Sequence, residues 1–98
     1  MLGLEDLLGQ KSKVRVLRVL ALRGGLNIGG IGRETGLSWD KLDKMLREFV
    51  QEGILRESRY SCSRDRYIRM FRYADTPQAR ILKRLFQEWE SSGGMNLE

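Results

Sequence analysis

Histidine is absent from this 98-residue chain, and cysteine and proline occur once each, as Cys62 and Pro77. Without histidine the commonest general base and metal ligand is missing. A lone thiol can close neither an intramolecular disulfide nor a cysteine zinc cluster. Cys62 sits among arginines, which would favour a thiolate, but the plainer reading is an inert side chain. No apolar run approaches membrane-crossing length, and the first residues lack the pattern of a secretory signal. The expectation is a cytoplasmic protein that is not an enzyme and holds no cofactor or metal. Scarce asparagine and an excess of arginine over lysine point toward a thermophile.

What is abundant is positive charge. The net charge is +5 and the pI about 9.8, which suits an anionic partner such as nucleic acid. The charge is concentrated. Residues 54–73 carry six arginines against Glu57 and Asp65, a balance of +4, while residues 1–53 hold +2 and residues 74–98 hold −1.

Periodicity divides the chain into elements. Leu4, Leu7 and Leu8 form a short amphipathic lead-in that Gly9 ends. Over about 11–23, Val14, Leu17, Leu20 and Ala21 recur at helical spacing, with Val16 and Val19 widening the stripe. Lys11, Lys13, Arg15, Arg18 and Arg23 line the other side, read as a solvated face. A second helix over about 28–35 is capped by Asn27 and anchored by Ile31. Its three glycines each cost about 1 kcal/mol relative to alanine, so it leans on tertiary packing.

The span from Gly32 to Leu42 is the richest. Gly32 lets another helix cross closely, and Gly36 supplies the positive φ of a helix end. Ser38 is an N-cap with Asp40 in the first turn, where the helix dipole favours an anion. Leu42 faces back toward the preceding helix. This is the helix-turn-helix spacing. The second of its helices runs from Ser38 to about Glu52 on a stripe of Leu42, Met45, Leu46, Phe49 and Val50, with Gly53 after it. Residues 54–60 and 67–73 then alternate as two strands around a polar tip, Ser61 to Arg66. Tyr67, Arg69, Phe71 and Tyr73 share one face, Ile68 and Met70 the other. Tyr60, Tyr67 and Tyr73 are read as core and hairpin-pair residues, not as a base-stacking platform. Thr76 and Pro77 open a last helix to about Trp89, with a stripe of Ala79, Leu82, Leu85, Phe86 and Trp89. Residues 91–98 read as a disordered tail.

The fold class expected is mainly α with a small β-hairpin: a winged helix-turn-helix over residues 1–90 with an additional C-terminal helix. On Leu7–Gly9, Leu26–Ile28, Thr35–Ser38, Leu46–Leu55, Arg69–Tyr73 and Asp75–Phe86 the chain resembles small winged helix-turn-helix transcription regulators of the ArsR/MarR-like type found in archaea. The resemblance implies a homodimeric, nucleoid-associated regulator that docks the helix over 38–52 in the major groove of double-stranded DNA. It places the wing, residues 60–66, on the flanking minor groove or backbone. Ser38, Trp39, Lys41, Lys44 and Arg47 of the helix and Arg59, Arg64 and Arg66 of the wing are then the DNA-binding residues. The stripe of Leu82, Leu85, Phe86 and Trp89 exceeds what a lone domain of this size needs, and is read as a dimer interface in preference to packing within the chain. The chain lacks the clustered Cys and His ligands of an ArsR-type metal site.

Two features depart from that pattern. Asp40 and Asp43 put carboxylates on the face meant for DNA. Dipole compensation and an i,i+4 pairing of Asp43 with Arg47 explain them more simply than acceptance of a cytosine amino group. Trp39 suits a thymine methyl or sugar, the base of the wing, or a protein partner equally well. An alternative function is therefore a winged-helix protein-interaction module in a larger assembly.

Overall fold

The computed structural model describes residues 11–91, so the expected lead-in helix and most of the tail lie outside the described residues. Four helices and three strands run in the order α1 (Lys11–Arg23), β1 (Leu26–Asn27), α2 (Ile28–Thr35), α3 (Trp39–Gln51), β2 (Leu55–Ser63), β3 (Arg66–Tyr73) and α4 (Pro77–Ser91). The strands form one antiparallel sheet in the order β1-β3-β2. This is the winged-helix architecture.

Local chemistry sets the helix ends. Asn27 caps α2 by accepting from the Gly30 amide at 2.8 Å, and Ser38 caps α3 by accepting from the Lys41 amide at 3.4 Å. Between them Gly36 sits at φ +74°, in the left-handed region, and its amide donates to Gly32 O at 2.8 Å. Thr35 is buried and donates its hydroxyl to Ile31 O at 2.7 Å. The close crossing expected over Gly32 is present: a Cβ there would stand 3.4 Å from Leu42 Cδ1. Gly53, at φ +75°, turns the chain out of α3 toward β2. Thr76 accepts from the Ala79 amide at 3.3 Å and itself donates to Gly53 O at 2.6 Å, so the start of α4 is tied to the end of α3.

The core is continuous. Val16, Leu17 and Leu20 of α1, Ile31 of α2, Leu46 and Phe49 of α3, and Phe71 of β3 are fully buried, and Ala79, Leu82 and Phe86 of α4 close it. The Tyr73 hydroxyl donates to Leu17 O at 2.6 Å, and burial pushes its phenol well above the ordinary tyrosine value.

Several expectations change. β1 was not expected; two residues carry no periodicity, and it exists through pairing of Leu26 with Phe71 and Asn27 with Met70. The hairpin is longer than expected, with its turn narrowed to Arg64–Asp65 and a bulge at Cys62. α4 continues to Ser91. Of the three tyrosines only Tyr73 belongs to the core; Tyr60 and Tyr67 are exposed because the hairpin runs past the edge of the helices beneath it. The basic row of α1 is largely solvated as expected, with Lys11, Arg15 and Arg23 exposed, but it also reaches its neighbours. Lys13 pairs with Glu48 of α3 at 3.1 Å, Arg18 with Glu90 of α4 at 2.6 Å, Arg23 with Glu34 of α2, and Arg15 donates to Thr35 O at 3.1 Å.

Glycines of opposite conformation give a test. Gly29 has open space at its Cβ and no positive φ, so Gly29→Ala is expected to stabilise the fold by about 0.5–1 kcal/mol. Gly36→Ala forces a Cβ into the left-handed region and is expected to cost about 1 kcal/mol. Urea unfolding of the two variants checks this; shifts of the same sign would refute it.

Candidate nucleic-acid interface

Amphipathicity orients α3. Leu42, Met45, Leu46 and Phe49 face the core, which leaves Trp39, Asp40, Lys41, Lys44 and Arg47 exposed. Ser38 is also exposed, at the mouth of the turn. Trp39 keeps 55% of its surface. Arg59, Arg64 and Arg66 are exposed on the hairpin, Arg64 within its turn and Arg66 directly after it. All eight residues expected to meet DNA therefore lie on the surface, distributed over α3 and the wing.

They are not electrostatically equivalent. Arg47 contacts Asp43 at 3.1 Å, the i,i+4 pair expected from sequence, and Arg59 contacts Glu57 at 3.0 Å. Lys41, Lys44, Arg64 and Arg66 make no ion pair among the described residues. Of the eight, these four are the cations most available to an anion.

Arg69 was not expected to have a role in the site. From β3 it reaches Asp43 of α3 at 2.7 Å and Glu57 of β2 at 3.3 Å, and its guanidinium carbon lies 5.3 Å from the centre of the Phe71 ring. The side chains of Arg69, Asp43 and Glu57 are each less than one-fifth exposed. Arg69 Nε is buried and finds no hydrogen-bond partner. One guanidinium thus ties α3 to both long strands of the wing, in the planar two-sided manner available to arginine and not to lysine. The sequence did hold a signal: alternation puts Arg69 on the same strand face as Phe71 and Tyr73, and a cation on a core-facing row needs an acid. Asp43 is that acid, so its carboxylate is engaged inside the domain.

The charges respond accordingly. Hydrogen bonding from Arg69 chiefly holds the Asp43 carboxyl below its ordinary value, against a partial loss of solvent and with help from the nearby Arg47 charge. For Glu57 the loss of solvent pushes upward but is outweighed by hydrogen bonds from Arg59 and Arg69, and the net shift is downward. Arg69 is raised, first by Asp43.

Neither a family model nor a curated protein matches this chain. Solved structures do. The fold is similar to that of the BigR transcriptional repressor from Xylella fastidiosa, with a TM-score of 0.68 at 14% identity over 94% of this chain and 85% of that one. It is similar to the AntR antimony-specific transcriptional repressor, at 0.66 and 22% over 90% of this chain and 75% of that one. It is also similar to the PcaV transcriptional regulator from Streptomyces coelicolor, at 0.63 and 18% over 85% of this chain and 56% of that one. At these identities the likeness establishes the fold. Among the described residues no helix is long and apolar enough to cross a membrane, and no cluster of His, Cys, Asp and Glu has the makings of a metal site.

Both acids of the clamp are ionised below their ordinary values, so the clamp stabilises the fold above about pH 4.5 and that contribution is lost as pH falls through the depressed values. Asp43→Asn combined with Glu57→Gln is expected to lower Tm at pH 7 and to flatten the fall of Tm below about pH 4. Thermal melts across pH check this; parallel acid limbs in parent and variant would show that the clamp carries no such linkage.

Proposed function

We propose that this chain is a DNA-binding transcription regulator, not an enzyme, acting in the cytoplasm on the nucleoid. It lays α3 in the major groove and sets the hairpin tip, residues 60–66, on the flanking minor groove or backbone. The observation that carries this reading is the set of unpaired cations Lys41, Lys44, Arg64 and Arg66, on two elements whose relative placement Arg69 fixes. Cations on a helix that fits the major groove can bind phosphates or the acceptor edge of guanine. A basic hairpin tip suits the electronegative minor groove. The repressor and regulator folds similar to this one support the same reading.

A homodimer joined through α4 completes the proposal. Leu82 and Phe86 are buried in the protomer's own core, so the proposed contact with a second copy is made through the exposed surface of Ile81, Leu85 and Trp89. Ile81, Leu85 and Trp89 keep 68%, 43% and 48% of their surface. A symmetric pairing would bury the same patch on both chains.

Trp39, large and exposed beside Asp40, favours a second reading, a protein-interaction module. Salt separates the two. Duplex binding is expected to weaken linearly in log K against log salt, with a slope of about −0.9 per phosphate neutralised. Arg64→Gln with Arg66→Gln should shallow that slope by about one to two. A slope near zero, or one unmoved by the pair of substitutions, would refute the wing contact and leave the protein-interaction reading. For the dimer, Ile81→Glu with Leu85→Glu is expected to halve the sedimenting mass while leaving helical circular dichroism intact; an unchanged mass would remove α4 from the interface.

A further inference from the structure

The sheet has a second face that the duplex reading leaves unused apart from Tyr60, where the wing begins. Arg69, Phe71 and Tyr73 point toward α3 and the core, so Arg72 and Met70 point away, opposite Arg56 and Ser58 of β2, with Tyr60 opposite Ile68 beyond them. Arg56 and Arg72 are directly opposed across the ladder, an arrangement that weakens strand pairing. The other opposed arginines, Arg59 and Arg69, are neutralised by Glu57 and Asp43. Arg56 and Arg72 have no such relief. Both are exposed and neither makes an ion pair or side-chain hydrogen bond among the described residues.

Beside Arg72 the face is hollow. Gly25 follows the turn after α1, and a Cβ there would stand 3.5 Å from Phe71 O and 3.6 Å from Arg72 Cβ, where a side chain would fit and fill the space. Its absence leaves a groove of about 260 Å³ lined by Gly24, Gly25, Ser58, Tyr60, Met70 and Arg72. Apolar floor, phenol and two uncompensated guanidiniums therefore occur together on one side of the hairpin.

We propose that this outer sheet face docks an acidic segment of a protein partner, seating one apolar side chain in the groove and placing flanking carboxylates on Arg56 and Arg72. At about 260 Å³ the groove lies just below the roughly 300–1,000 Å³ of small-molecule sites, room for one side chain of a partner and not for a whole ligand. Met70, Tyr60 and Ile68 follow the arginine pair along the same face toward the tip and match an aliphatic or aromatic anchor beside the two cations. Carboxylates accept both forks of an arginine pair in parallel. Because this face is turned away from α3, a partner seated here leaves the recognition helix open, and docking stands whether or not the chain binds a duplex.

The test uses the full chain, labelled with nitrogen-15 and titrated with a short blocked peptide of aspartates and glutamates around one central phenylalanine. Saturable shifts are expected at the amides of Gly24, Gly25, Ser58 and Arg72, with residues 39–47 unmoved. Replacing the peptide's phenylalanine by serine should weaken binding by about tenfold or more, the loss of one well-seated aromatic anchor. Arg56→Glu places an acid opposite Arg72, so this variant should melt no lower than the parent while losing about tenfold in peptide affinity. Its duplex affinity and salt slope should be unchanged. Shifts centred on Trp39 and Lys44, equal binding of the serine peptide, absence of saturable binding, or loss of duplex affinity in Arg56→Glu would each overturn the proposal. The last result would assign the face to nucleic acid.

Discussion

The relation between α3 and the wing depends on one guanidinium. On the proposed reading two elements address one anion from different sides, and the backbone alone does not keep them from drifting independently: the hairpin is a long two-stranded ribbon whose far half is exposed on both strands. Arg69 stands at the last point where the ribbon still touches the helices. By engaging Asp43 on one side and Glu57 on the other it converts a hinge into a brace. Its cost is visible in the unpartnered Nε, which the cation–π contact with Phe71 offsets in part.

The same logic runs through α1. Its inner stripe fills the centre of the core, and its charged row reaches a different neighbour with almost every residue: Glu48 on α3, Glu90 on α4, Glu34 on α2 and the carbonyl of Thr35 at the turn. Singly, half-exposed pairs of this kind contribute little. Distributed over three helices around one rod, they fix orientation more than they add stability. The turn that positions Ser38 and Trp39 is thereby held from behind by Arg15, while Gly32 lets Leu42 approach from the front.

Local chemistry was legible in the sequence, and long-range pairing was not. Asn27, Ser38 and Thr76 announce helix starts because each cap is satisfied within three residues. Gly36 announces the turn because only the left-handed backbone needs it there. The pairing of Asp43 with Arg47 follows from helical spacing, but its shorter contact with Arg69 lies 26 positions away. Alternation identified the faces of β3 correctly yet gave no sign of where the helices beneath it stop, and so Tyr60 and Tyr67 were read as core. The surface cations were equally legible, whereas the division between engaged Arg47 and Arg59 and unengaged Lys41, Lys44, Arg64 and Arg66 depends on which acids the fold brings near.

α4 has a further consequence through Ala79, Leu82 and Phe86. Because its inner edge is already spent on closing the protomer, a single chain possesses a finished hydrophobic interior. Any self-association through the opposite edge is then a meeting of prefolded bodies and not an intertwining of half-formed ones. Such a chain is expected to fold as a first-order event, with any assembly responding to concentration on its own.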